Sequence, residues 1–551
     1  MWQNSRSSLL KMQQINNDLN PSVQSGQQLS SGAEIRSSGL KSKLYPFLRR
    51  TVIFVLVELY FGAFAPLGLD FHHDGITFIP ALRVASGGMV FRDVFCQYGF
   101  FPPVLQGLSL YIGGHELLVM KYFSVLFYAG SAVLLDIIWE RFLSARWRDF
   151  LLLMYFSLMP DQMVTFHAWS SIFALFFSLG ALWLLLKHLS HQNRICLAFS
   201  GILTGLTFLS RQPVGFVCGL AIAGALFFQL MLEPPLHRNW KKFIIDGVIA
   251  AMSAASVVGA VAVLLIYYGI WDDFILQCFT YVASFVAVRS AEGDWGYLAE
   301  SLMPFITDNM FSDSIFATLP LFALYWLYKA TTTAAHQPEK REYYVMICAL
   351  AIFACGSWHQ YYPVPCVRHL FWGGVPFFGF FVLSIRELWN CTGKRNKLAK
   401  ILLVLCLFQY LICALPRIYN GFIRLKQAPT RNVSDIPGLR GIKLTRGENG
   451  VINYMRSSFD QLPESIKKRG VVNYTKDGLW SIILPDAGFR HPQFINMGKA
   501  LYPDYDEKIM LFINKHKPVV LSNIPVYLED YWPIAQCDYM GENYTLWSPS
   551  N

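Results

Sequence analysis

Gly247-VIAAMSAASVVGAVAVLLIYYGI-Trp271 runs from end to end without a charge. As a helix it spans about 30 Å of hydrocarbon with length to spare. Gln212–Leu232 and Ala168–Leu186 repeat the pattern. Shorter apolar runs sit near 51–69, 119–139, 150–162, 195–211, 306–328, 343–358, 370–386 and 400–417. Together they predict eleven transmembrane helices. The composition agrees. Charged residues are 15% of the chain, against about 25% in soluble domains. Mean hydropathy is +0.36. These values exclude an ordinary cytosolic enzyme, a disordered protein and a disulfide-stapled secreted domain. The net charge of +10 then reads as membrane topology, with no nucleic-acid partner implied.

Working outward, residues 1–50 are rich in Ser, Gln and Asn and read as a flexible cytoplasmic tail. The tail holds seven basic residues, and alternate loops continue the bias. These are Arg141/Arg146/Arg148, Lys187/Arg194, Arg238/Lys241/Lys242, Lys329/Lys340/Arg341 and Arg386/Lys394/Arg395/Lys397/Lys400. The intervening loops are poor in Lys and Arg. The pattern puts the N-terminus in the cytoplasm and, after eleven crossings, the C-terminus outside. Residues 51–417 form the membrane domain. Residues 418–551 differ: 29 of these 134 are charged, near a soluble value of about 25%. Candidate strands at Gly470–Thr475, Lys517–Ser522 and Tyr544–Ser548 alternate with helical stretches. The expected fold is therefore an all-α polytopic membrane bundle with a small C-terminal α/β extracytoplasmic domain. That domain carries Asn432-Val-Ser, Asn473-Tyr-Thr and Asn543-Tyr-Thr, acceptor sequences for N-glycosylation in a eukaryotic host. The eleven cysteines show no C-x-x-C and read as small buried hydrophobes.

The first outer loop, 70–116, is crowded with chemistry. It reads Asp70-Phe-His72-His73-Asp74-Gly75, then Phe91-Arg92-Asp93, then Gln97-Tyr98-Gly-Phe-Phe-Pro-Pro103. Asp70 and Asp74 are four apart, so a helical turn would place both on one face. A carboxylate here can take a proton from a hydroxyl or hold a cation against a phosphate. A second cluster, Trp358-His359-Gln-Tyr-Tyr-Pro-Val-Pro-Cys-Val-Arg368-His369, lies between two spans on the same side. Its rings suit a sugar and its cations a phosphate, although an interfacial aromatic belt looks similar. Arg211 ends an apolar helix, where a guanidinium is expensive unless paired or snorkelling. A divalent cation held by His72, His73, His359 or His369 is left open, since the spacing does not select it. The acids and Arg289 around Trp271–Trp295 read as a solvated loop.

One membrane helix, then Asp-x-x-His-His-Asp-Gly, Phe-Arg-Asp and Gln-Tyr-Gly-x-x-Pro-Pro, resembles the GT-C superfamily of polytopic glycosyltransferases. The branch it looks most like holds the protein O-mannosyltransferases, the lipid A aminoarabinose transferase and many uncharacterised bacterial homologues. The resemblance covers residues 50–420 in architecture. It implies a polyprenyl-phosphate sugar donor, transfer to a lipid, glycan or protein hydroxyl on the extracytoplasmic side, and inversion at the anomeric carbon. It implies an essential acid at Asp74. Leu209-Ser-Arg-Gln-Pro213 matches a family segment whose cation meets the lipid phosphate, which implies that role for Arg211, with Arg368 and His369 beside it. Asp70, His72, His73, Arg92, Asp93, Gln97 and Tyr98 would support the site. Phe100 stands where some relatives carry a Lys, so that phosphate contact is absent. The membrane would be the bacterial inner membrane, or the ER in a eukaryote. The rival readings are a flippase for lipid-linked glycan and a non-catalytic membrane scaffold. A flippase would more often show repeated halves and broken helices, and a scaffold leaves the crowded first loop unexplained.

Overall fold

The computed structural model describes residues 31–284, 310–334, 336–361, 366–392, 396–489 and 504–550. Every apolar segment singled out above is helical over most of its described length. The longer helices of the membrane part are α1 Ser31–Phe64, α2 His73–Ala85, α3 Phe101–Gly113, α4 Leu117–Trp139, α5 Ala145–Ser157, α6 Ser170–His191 and α7 Arg194–Ser210. They continue as α8 Gln212–Leu232, α9 Trp240–Tyr267, α10 Met310–Thr333, α11 Arg341–Ser357, α12 Val367–Asn390 and α13 Asn396–Gln427. By length and composition six helices can cross a membrane among the described residues: α4, α6, α8, α9, α12 and α13. This is fewer than the eleven expected. At 13 residues, α5 is about 20 Å long, and α7 and α11 have 17 residues each.

Two boundaries differ from the sequence reading. Helix α1 is described from Ser31, so the expected tail is helical over 31–50. Its polar start continues into the apolar run without a breaker other than Pro46. Helix α13 runs on to Gln427, and the C-terminal domain follows it. Arg289 and the acids beyond it, like Tyr362–Pro365, lie outside the described residues.

Basic residues gather at one end of the bundle and are held there. Arg148 pairs with Asp136 at 3.0 Å and Arg194 with Asp246 at 2.9 Å. Lys329 bonds Glu387, and Arg386 bonds the Phe142 carbonyl.

The opposite end carries the C-terminal domain. Strands β1 Asn432–Val433 and β2 Lys443–Leu444 form a small antiparallel pair. A four-stranded sheet follows, built from β3 Val471–Tyr474, β4 Val519–Ser522, β5 Tyr531–Tyr539 and β6 Glu542–Pro549 in the order β3-β4-β6-β5. Within that sheet β3 and β4 run parallel, and the long antiparallel hairpin β5-β6 completes it. Helices α14 Arg446–Asp460 and α15 Tyr505–His516 flank it. The three strands expected from the sequence are present; β5 is masked in the sequence by Pro533. Asn473 lies inside β3 and spends its amide on the Asp477 carbonyl and Ser481.

This domain shares one hydrophobic core with the first outer loop. Leu69, Phe71, Phe78, Leu110, Leu117 and Met120 pack with Ile436, Leu444, Ile452, Trp480 and Leu546. Backbone bonds stitch the seam: Lys443 N–H to Pro66 O at 2.7 Å, Leu479 N–H to Phe71 O at 3.1 Å, and Leu117 N–H to Gly438 O at 2.8 Å. Gly75 is needed at this seam. A Cβ there would lie 2.7 Å from the Leu479 nitrogen. Thr445 and Glu448 form a capping box on α14, and the Glu448 carboxylate also accepts the Leu69 amide at 3.0 Å. Replacing Thr445 with Ala should lower stability by about 1 kcal/mol, measurable as a shift in the denaturation midpoint of the detergent-solubilised chain.

Candidate active site

The first turn of α2 sets the site. The Asp70 carboxylate accepts the amides of His72 (3.2 Å) and His73 (2.8 Å), so it satisfies two donors that a helix start leaves open. Its other oxygen meets His73 Nδ1 at 2.9 Å and His167 Nε2 at 3.4 Å. His167 comes from the loop between α5 and α6. Arg368, at the start of α12, donates to the Thr165 carbonyl at 3.0 Å and lies 3.3 Å from His167 Nε2. A chain of acid, imidazole and guanidinium thus joins α2, the α5–α6 loop and α12. The Asp70 side chain is 27% exposed, so it is open to an incoming group. Burial raises its carboxyl, but hydrogen bonds from His167 and His73 outweigh this and hold it well below the usual range. Burial, with the Arg368 charge, pushes His167 well below its ordinary value, while the Asp70 contact opposes that shift.

Asp74 sits elsewhere than its sequence position suggested. Its side chain and that of Lys121 on α4 are both 0% exposed and pair at 3.0 Å. The same oxygen, Oδ2, accepts the Asp70 amide at 3.1 Å, while Oδ1 is buried without a hydrogen-bond partner among the described residues. Burial raises its carboxyl, and the Lys121 charge opposes that. One helical turn does link the two acids, but it turns Asp70 towards the opening and Asp74 into the interior.

An aromatic wall continues the site. The Trp169 ring lies 5.4 Å from His73, 4.9 Å from Tyr98 and 6.4 Å from Trp372, and His369 lies 5.7 Å from Trp372. Gln97 donates to the Tyr98 hydroxyl at 2.7 Å. Gly99 lets this strap approach the α7–α8 junction, because a Cβ there would fall 1.9 Å from the Leu209 carbonyl. At that junction Arg211 donates to Ser171 on α6. Its charge acts on both Tyr98 and His359. His359 is pushed down to about 4, by burial first and by Arg211 as well.

No family model matches this chain, and no curated protein matches it. Among solved structures it overlays on the crystal structure of an Archaeoglobus fulgidus oligosaccharyltransferase, solved with Zn and sulfate. The TM-score is 0.47 at 13% identity, over 86% of this chain and 68% of that one.

Three of the expected supporting residues stand apart. Arg92 and Asp93 bind each other at the surface through two contacts of 3.0 Å, and Asp93 also accepts the Met89 amide. The hydrogen bond from Arg92 holds the Asp93 carboxyl down at about 2. His72 turns from the cluster towards the soluble domain, with Nδ1 2.5 Å from the Lys476 carbonyl and 3.9 Å from Asp477. Besides the Trp169 and Trp372 rings, two ionisable participants escaped sequence reading. Lys121 is one of two charges, with Asp136, in the apolar run 119–139, and a charge there is itself a signal of a buried partner. His167 lies in a short connector with no motif around it, and only the fold brings it to Asp70.

Cation-binding chemistry fits this arrangement. Asp70, His73 and His167 each turn one ligand atom into a space where all three lie within 4.8 Å of one another. A carboxylate oxygen facing a neutral imidazole nitrogen needs either a proton or a cation between them. One oxygen and two nitrogen ligands suit a borderline divalent ion.

Proposed function

We propose that this chain is a multi-pass membrane glycosyltransferase that moves a sugar from a polyprenyl-phosphate donor to an acceptor hydroxyl. The supporting observation is the Asp70–His167–Arg368 chain: a partly exposed carboxylate and a guanidinium that meet at one imidazole nitrogen, at the end of the bundle that carries the C-terminal domain. By the distribution of basic residues that end faces the periplasm or the ER lumen, with the N-terminus cytoplasmic.

Asp70 orients the acceptor hydroxyl and takes its proton, the role that the sequence resemblance implied for Asp74. The hydroxyl attacks the anomeric carbon as the bond to phosphate breaks on the opposite face, so the centre inverts. Arg368 and Arg211, with His369, neutralise the charge growing on the departing phosphate. Tyr98, partly exposed, offers a face against which a sugar ring packs, and the buried Trp169 and Trp372 rings back it from behind. Asp74 and Lys121 act through Asp70, fixing its backbone from beneath. Asp70, His73 and His167 would hold a divalent ion where one is used, and it would lend charge to the leaving phosphate.

Donor recognition gives a test apart from turnover. Polyprenyl phosphate should bind the purified protein and raise its melting temperature. Arg368→Ala should weaken that binding about 10- to 100-fold, the loss of one charge-assisted hydrogen bond. A wild-type protein indifferent to polyprenyl phosphate would remove the donor from this reading.

A further inference from the structure

Cys96 and Cys278 are far apart in the chain and share one acceptor. Cys96 follows Phe95 in the first outer loop; Cys278 lies in the π-helical turn Leu276–Thr280 that succeeds α9. Both thiols point at the Tyr98 carbonyl, at 3.3 and 3.2 Å. The two sulfurs cannot then be further apart than those contacts laid end to end. Cys278 Sγ is also 3.7 Å from the Cys96 carbonyl. The residue between them in the packing is Gln277, which accepts the Cys96 amide at 2.9 Å and donates to the Phe91 carbonyl at 2.8 Å. The junction is sealed: Cys96 is 5% and Cys278 4% exposed, in one apolar cluster with Val90, Phe91, Leu265 and Phe274. π-Turns interrupt a helix at a cost and recur where a function is served.

We propose that Cys96 and Cys278 form a disulfide that staples the first outer loop to the segment after α9. The proposal rests on the reading that this end of the bundle faces an oxidising compartment. In the reaction one thiolate attacks the disulfide of a thiol oxidase and forms a mixed disulfide. The second thiolate displaces the oxidase, which leaves as a dithiol carrying the two electrons; the two protons that the cysteines give up are matched by the two that the oxidase thiolates take up, exchanged through solvent. Closing the bond needs the sulfurs to meet at about 2.05 Å, so both thiols must leave the carbonyl they share. Formed during folding, before the junction closes, the bond escapes the poor access of the buried thiols. It anchors the strap bearing Gln97 and Tyr98, so the site keeps its aromatic wall.

The test is a digest of the full-length protein, expressed in a bacterium and denatured in N-ethylmaleimide so that every free thiol is alkylated before digestion. Mass spectrometry should find the Cys96 and Cys278 peptides joined, two hydrogens lighter than their sum, and separable by dithiothreitol. Cys96→Ser and Cys278→Ser should each free the other cysteine for alkylation and lower the melting temperature by the same amount as dithiothreitol lowers it for wild type. Alkaline phosphatase fused after Asn551 reports the side of the membrane independently. An active fusion with both cysteines alkylated overturns the disulfide alone. An inactive fusion overturns the outer placement and the disulfide with it.

Discussion

Asp70→Asn should fold, bind polyprenyl phosphate as wild type does, and lose transfer by about a thousandfold, in the range of a removed general base. The amide keeps the size of the side chain and its acceptor oxygen, so the caps on His72 and His73 can persist. It cannot take a proton from a hydroxyl. The comparison that separates chemistry from scaffolding is Asp74→Asn. Its side chain is sealed against Lys121, so the change should show first as lower stability and only through that as lower activity. If Asp74→Asn abolished turnover in a protein that melted like wild type, while Asp70→Asn stayed active, the two roles would have to be exchanged.

The second large effect is expected at Lys121. Lys121→Met leaves the Asp74 carboxylate without its cation in a site where neither side chain sees solvent. Removing one member of a buried pair costs about 3–5 kcal/mol. The loss has a defined pH dependence. Burial already raises the Asp74 carboxyl, and without Lys121 the largest opposing charge is gone. A group whose folded pKa is raised gives stability below its unfolded value and loses it as pH climbs through the folded one. The variant should therefore melt closer to wild type near pH 5 than near pH 8. Lys121→Met combined with Asp74→Leu removes both charges, and most of the stability should return. A double variant no better than the single one would mean that the pair does more than neutralise itself.

The helical bundle was legible because uncharged runs such as Gly247–Trp271 are long enough to cross the hydrocarbon and leave little choice of structure. The limits of those runs were less so: the polar start of α1 and the tail of α13 keep their helices beyond the hydrophobic stretch. The crowding of the first loop was legible, and Asp70, His73, Gln97 and Tyr98 do gather along one wall; that this wall works as a site is the proposal that Asp70→Asn tests. Which acid faces the opening was not legible. Spacing of four places Asp70 and Asp74 on one helical turn, but only packing decides which of them meets Lys121. The long-range partners were equally hidden. His167 reaches Asp70 from the α5–α6 loop, and Arg368 reaches His167 from α12. No local pattern encodes a meeting of stretches so distant in the chain. The apparent independence of the C-terminal domain followed from its composition. Its core residues are shared with the first loop, a fact that charge content does not report.

The account turns on sugar transfer at the Asp70 end of the bundle. Purified protein, incubated with a panel of polyprenyl-phosphate sugars and acceptor hydroxyls, gives the direct measurement: free polyprenyl phosphate released per protein. Wild type should release it from at least one donor over many turnovers, and Asp70→Asn should release almost none. Equal release by both proteins would contradict the account, and so would none from any donor by a wild type that is folded and binds polyprenyl phosphate.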